Sequence, residues 1–274
     1  MLTIVPRFLR DPQAFFASIQ RGEEIKSKVL SLAASSALFL LIYGFVLGLA
    51  HSFWQALATA VKMPILFMAT MAFCLPALYF FSLALLSTRL KMLQVTAVVL
   101  TGVGVIAFLL LGLAPVTLFF VLTSGNYAFF QLLAVVFVAV SGVIGLYYLW
   151  RGMTLVDDTP GSLGQAGRVL LAAWIGLYAF VSSQMTWRLS PLVGDPSQPF
   201  VLLQPSRDNF YVDVIHAVQR AMGIAENAAA SATVNTVLVG TLCLLPVVLL
   251  FLGIGVVLGA RRKTRNAPPA ATVE

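Results

Sequence analysis

Six uninterrupted apolar runs constrain this chain more than any other feature: residues 29–50, 64–86, 93–113, 128–150, 169–187 and 234–260. Each has the roughly 20 apolar residues that a helix needs to cross the hydrocarbon core of a bilayer. None holds an acidic or basic residue. Lipid cannot satisfy open backbone groups, which leaves helices and closed barrels as the only spanning structures. Continuous rather than alternating apolarity excludes the barrel. The expected fold is therefore an all-α polytopic bundle of six spans, occupying residues 29–260. A cytoplasmic amphipathic helix precedes it in residues 1–28, and a basic cytoplasmic tail follows in residues 261–274.

Charge supports that topology. Only 10% of the 274 residues are charged, against about 25% in soluble domains. With both termini placed inside, the inner segments hold 13 of the 17 Lys and Arg residues. The outer segments keep four, Lys62, Arg188, Arg207 and Arg220, which obeys the positive-inside rule. The net charge of +7 then reads as a topology signal. Nucleic-acid binding is excluded as a role, because the basic residues are scattered over short loops without interleaved aromatics. The 28 residues before the first run are too many for a signal-peptide n-region, so that run is read as a retained span. Cys74 and Cys243 both fall inside spans and read as apolar fillers. They offer neither a disulfide framework nor a metal site, and no cofactor is expected.

Several local signals refine the picture. Asp11-Pro12 starts a helix, with a capping carboxylate and proline at its first position. Phe15, Phe16 and Ile19 group on one side of it and Gly22 can end it. This helix either lies in the anionic leaflet or packs on the bundle. The third span is expected to stop near Ala114-Pro115, with 116–123 as an extension or re-entrant turn; one tilted helix from 93 to 123 is the alternative. Gly44/Gly48 and Gly255/Gly259 have the small-xxx-small spacing that permits close helix approach, and Pro76 and Pro246 should kink their spans. Asp157 and Asp158 sit in a Pro/Gly turn of the inner loop.

The outer segment, 188–233, is the one sizeable region outside the membrane. Its first half is rich in turn formers. Asp208 can then cap an amphipathic helix in which Phe210, Val214, Val218 and Met222 recur every four residues. Arg188, Asp195, Asp208, Asn209 and Tyr211 are the candidate recognition surface, joined by Ser183 and Gln184 at the outer end of the fifth span. Asp213 and His216, three apart on that helix, are the nearest approach to a catalytic pair, but no nucleophile accompanies them.

Two stretches carry a resemblance: Phe8-Leu9-Arg10-Asp11-Pro12 through Phe15-Phe16 and Gly22, and Trp187 through Phe200 followed by Asn209-Phe210-Tyr211. They resemble bacterial multi-pass inner-membrane proteins of the Yip1-like family. That resemblance implies a non-enzymatic membrane protein acting through partners, with six spans here where Yip1-type proteins typically have five. The expected function is binding of a lipid or a membrane-protein partner through the outer loop. A passive carrier or flippase lined by Pro76, Pro246 and the 182–184 cluster is the alternative, and an outer-leaflet hydrolase or transferase the second.

Overall fold

The computed structural model describes residues 8, 10–85, 90–123, 127–156, 165–194 and 199–203. These form six helices: α1 (Pro12–Gln20), α2 (Ile25–Gly48), α3 (Phe53–Leu85), α4 (Met92–Thr123), α5 (Tyr127–Leu155) and α6 (Gln165–Arg188). No strand occurs among the described residues. The five helices after α1 are long and apolar enough to cross a membrane. The described elements are all helical, and their five long apolar helices mark an integral membrane protein.

α4 is the axis of the bundle. Every residue from 97 to 107 is buried, and this stretch mixes small residues (Ala97, Thr101, Gly102, Gly104, Ala107) with valines. Small side chains let neighbouring backbones come close in lipid, where dispersion replaces the hydrophobic effect as the force between helices. A Cβ on Gly102 would meet the Gly145 carbonyl of α5 at 3.0 Å. α2 packs along both α3 and α4, α5 lies against α4, and α6 is held mainly by α3. α5 is the least buried span. Val136, Val140, Val143 and Tyr147, spaced three or four apart, are 52–69% exposed and form its lipid-facing stripe.

Two boundaries differ from the first sequence expectation. α3 begins at Phe53, eleven residues before the apolar run, and takes in Lys62 and Pro64. Lys62 therefore lies in a membrane-length helix and not in an outer loop. α4 continues through Pro115 to Thr123 as one helix, so the single-helix alternative holds and 116–123 is not a re-entrant turn. At 1.5 Å per residue the 33 residues of α3 and 32 of α4 reach about 50 and 48 Å, well beyond a hydrocarbon core of about 30 Å, and tilt absorbs such excess. The sixth run (234–260), with Cys243, Pro246 and Gly255/Gly259, lies outside the described residues, as do Asp157, Asp158, the 208–223 segment and the 261–274 tail.

α1 closes one end of the bundle, called basal here; the end where α2 turns into α3 is apical. Asp11 caps α1 by accepting from the Ala14 N–H at 3.1 Å. Phe15, Phe16 and Ile19 are buried. The Phe16 ring lies so close over Gly152 of α5 that a Cβ there would meet it at 2.6 Å. Phe8 adds ring contacts to Phe15 and Tyr148. Gln94 of α4 fastens the junction, its Nε2 donating to the carbonyls of Ile19 (2.9 Å) and Gln20 (2.7 Å). Its Oε1 accepts from the Lys91 N–H.

Candidate functional site

The apical end is organised by a close crossing of α2 and α3. A Cβ on Gly48 would fall 2.6 Å from both Ala56 Cα and the Gln55 carbonyl, and one on Gly44 would fall 2.6 Å from the Thr59 carbonyl. The small-xxx-small spacing of these glycines is used as such spacing allows. Ser52 caps α3 by accepting from the Gln55 N–H at 3.2 Å, and the His51 ring nitrogen Nδ1 lies 2.8 Å from its hydroxyl. With the start of α3 held this way, Gln55, Thr59 and Lys62 stand at i, i+4 and i+7 on one face.

That polar face grips the chain after α6. Gln55 Nε2 donates to the Pro191 carbonyl at 2.7 Å and Lys62 Nζ donates to the same oxygen at 2.9 Å. Thr59 Oγ1 donates to the Leu192 carbonyl at 2.7 Å, and Gln55 Nε2 also reaches Thr59 Oγ1 at 3.3 Å. The three side chains are 1%, 0% and 5% exposed respectively. Gly194, at φ +74, brings its backbone against His51, 3.0 Å from the His51 Cβ to a Cβ placed there. A side chain at that position would be both sterically and conformationally disfavoured. Burying an amine in a span is costly unless it is hydrogen-bonded, so the Pro191 carbonyl is what makes Lys62 tolerable there. Among the described residues no carboxylate pairs with it, the one ion pair being Arg21 with Glu23.

The residues singled out in the sequence fall differently. Arg188 ends α6, exposed, its guanidinium 5.7 Å over the Trp187 ring, within the range of a cation–π contact. Ser183 Oγ donates to the Phe180 carbonyl at 2.7 Å, the back-bonding expected of a hydroxyl in a span. Gln184 has its Nε2 buried without a partner among the described residues. Asp195, Asp208, Asn209 and Tyr211 lie outside the described residues, and so do Asp213 and His216. The clamp of Gln55, Thr59 and Lys62 was missed by sequence reasoning, although its i, i+4, i+7 spacing is a helical signal.

Deeper in the bundle, the buried Trp174 of α6 donates its indole N–H to the Cys74 carbonyl at 3.0 Å, joining α6 to α3 two residues before Pro76. Val99, Gly102, Val103, Gly145, Trp174 and Tyr178 border an apolar crevice with room for about one water. No group of three His, Cys, Asp or Glu side chains suited to a metal occurs among the described residues. No family model, curated protein or solved structure matches the chain.

Proposed function

We propose that this protein is a non-enzymatic integral membrane protein that binds a partner, a lipid or another membrane protein, through the loop that follows α6. The supporting observation is the pairing of a fastened stem with an exposed apolar segment. The carbonyls of Pro191 and Leu192 are held by three buried side chains, and residues 200–203 (Phe-Val-Leu-Leu) then present four consecutive apolar side chains, each 40–56% exposed. Four exposed apolar residues in a row serve stability poorly and are kept where something covers them. A stem fixed in advance also lowers the ordering cost of binding.

The polar groups that the apical end positions are spent on the protein's own carbonyls, which suits a recognition scaffold better than a reaction centre. With Lys62 inside α3, 13 basic residues fall in the inner segments against three in the outer ones, which supports placing the basal end and both termini in the cytoplasm, with the binding loop outside. The Yip1-like resemblance and a bacterial inner membrane fit the same reading.

Crosslinking tests it. A photoreactive residue replacing Leu202, irradiated in native membranes, should give one discrete protein or lipid adduct, and Lys62→Met, which loosens the stem, should reduce it severalfold. Protein recovery identifies a protein partner; enrichment of one lipid class identifies a lipid. Adducts that merely mirror bulk lipid, unchanged by Lys62→Met, would overturn the reading.

A further inference from the structure

The basal end has a chemistry of its own. Among the described residues it carries Arg10, Arg21, Lys26, Lys28, Lys91 and Arg151 against three carboxylates, whereas the apical end has only the buried Lys62 and Arg188. Two of the basal cations are engaged. Arg21 Nε donates to Glu23 Oε1 at 2.6 Å, which holds the Glu23 carboxyl below the usual carboxylate range. Lys28 Nζ donates to Ser18 Oγ at 2.7 Å. Lys26 and Lys91 are exposed and have no carboxylate partner among the described residues.

Their level follows from their neighbours. Leu30, one turn above Lys26, and Met92 and Leu93, next to Lys91, are exposed apolar side chains that mark where hydrocarbon begins. One helical turn is about 5.4 Å, so with these helices across a bilayer both lysines fall at its headgroup level. The backbone that carries them is fixed. The Gln94 side chain holds the Lys91 N–H and the last carbonyls of α1 together. From α1 the chain turns through Gly22 (φ +72) and Glu24 (φ +47) directly into the helix bearing Lys26.

We propose that this junction binds the headgroup phosphate of an anionic phospholipid. Lys26 and Lys91 supply the charge, and α1 forms the floor on which the headgroup rests. Basic clusters at the ends of transmembrane helices attract anionic headgroups by charge, each cation contributing separately. This site is distinct from the apical loop and stands whether or not that loop binds a partner.

The test uses the full chain in vesicles of phosphatidylcholine with phosphatidylglycerol at 4:1, extracted in mild detergent at 0.15 M salt, with co-purifying lipids quantified by native mass spectrometry. The wild type should retain phosphatidylglycerol severalfold above its bulk share. Lys26→Gln/Lys91→Gln should fall to the bulk ratio, while Arg10→Gln, one charge lower at the far end of α1, should match the wild type. A matching melting temperature confirms that the double variant folds; should it not, Lys26→Arg/Lys91→Arg, which keeps the charge, must retain the excess. No phosphatidylglycerol excess in the wild type, an excess surviving in the folded double variant, or equal loss with Arg10→Gln would each overturn the proposal.

Discussion

Replacing Gly48 by alanine tests the apical crossing directly. The added methyl would sit 2.6 Å from Ala56 Cα, 2.6 Å from the Gln55 carbonyl and 2.8 Å from the Ala56 nitrogen, where ordinary contact begins near 3.4 Å. All three neighbours are backbone atoms, so no rotamer change relieves the clash. α2 and α3 must separate by about 0.8 Å, the shortfall between those distances. Overpacking of this kind costs about 1–3 kcal/mol, and the rigidity of the neighbours favours the upper half of that range. Alanine returns up to about 1 kcal/mol through its better helix propensity. The expected net destabilisation is thus about 1–2 kcal/mol. Gly112→Ala and Gly142→Ala are the controls: a Cβ at either meets nothing within 4 Å, so both should be neutral or stabilising by up to about 1 kcal/mol. Reversible unfolding in mixed micelles with increasing dodecyl sulfate, followed by tryptophan fluorescence, reads all three. A Gly48→Ala variant within 0.5 kcal/mol of Gly112→Ala would refute the close crossing.

Other perturbations separate local from global effects. Lys62→Met exchanges a buried amine for an apolar side chain of similar length, so global stability should stay within about 1 kcal/mol. Hydrogen exchange across 189–194 should nevertheless accelerate, and unchanged exchange would mean that Lys62 does not hold the stem. Gln94→Ala removes three hydrogen bonds from the α1 junction. At roughly 0.5–1 kcal/mol each, about 2 kcal/mol is lost locally, and proteolysis around 21–24 should quicken by roughly 30-fold where cleavage follows the open population. Trp174→Phe leaves the Cys74 carbonyl without its donor and should cost about 1 kcal/mol in the same unfolding assay, in line with interhelical hydrogen bonds in membranes.

What the sequence disclosed depended on whether the physics was local. Apolar runs register in composition alone, so the described spans were legible. The α1 start was legible too, because Asp11 caps a nitrogen three residues away. The boundary of α3 was not. Gln55, Thr59 and Lys62 look like loop residues because polar side chains before an apolar run usually face water, and their acceptors lie 129 to 136 residues downstream. Pro64 and Pro115 read as helix ends, yet a bundle in lipid tolerates proline when neighbouring groups satisfy the freed backbone. Gly44 and Gly48 announced a crossing through their spacing. Gly102 and Gly145 gave no such notice, since each is matched by a glycine on another helix.

The seat of α1 also dictates an order of assembly. Phe16 leaves the ribosome early, but the glycine it covers, Gly152, is 136 residues later in the chain. At roughly 5–20 residues per second that interval is about 7–27 s. Until both α4 and α5 have been made, the face formed by Phe15, Phe16 and Ile19 lacks its complete seat, and the bilayer interface offers it an apolar refuge. α1 is thus synthesised well before its seat is complete, serving as a temporary float at the membrane surface before it becomes the keel of the finished bundle.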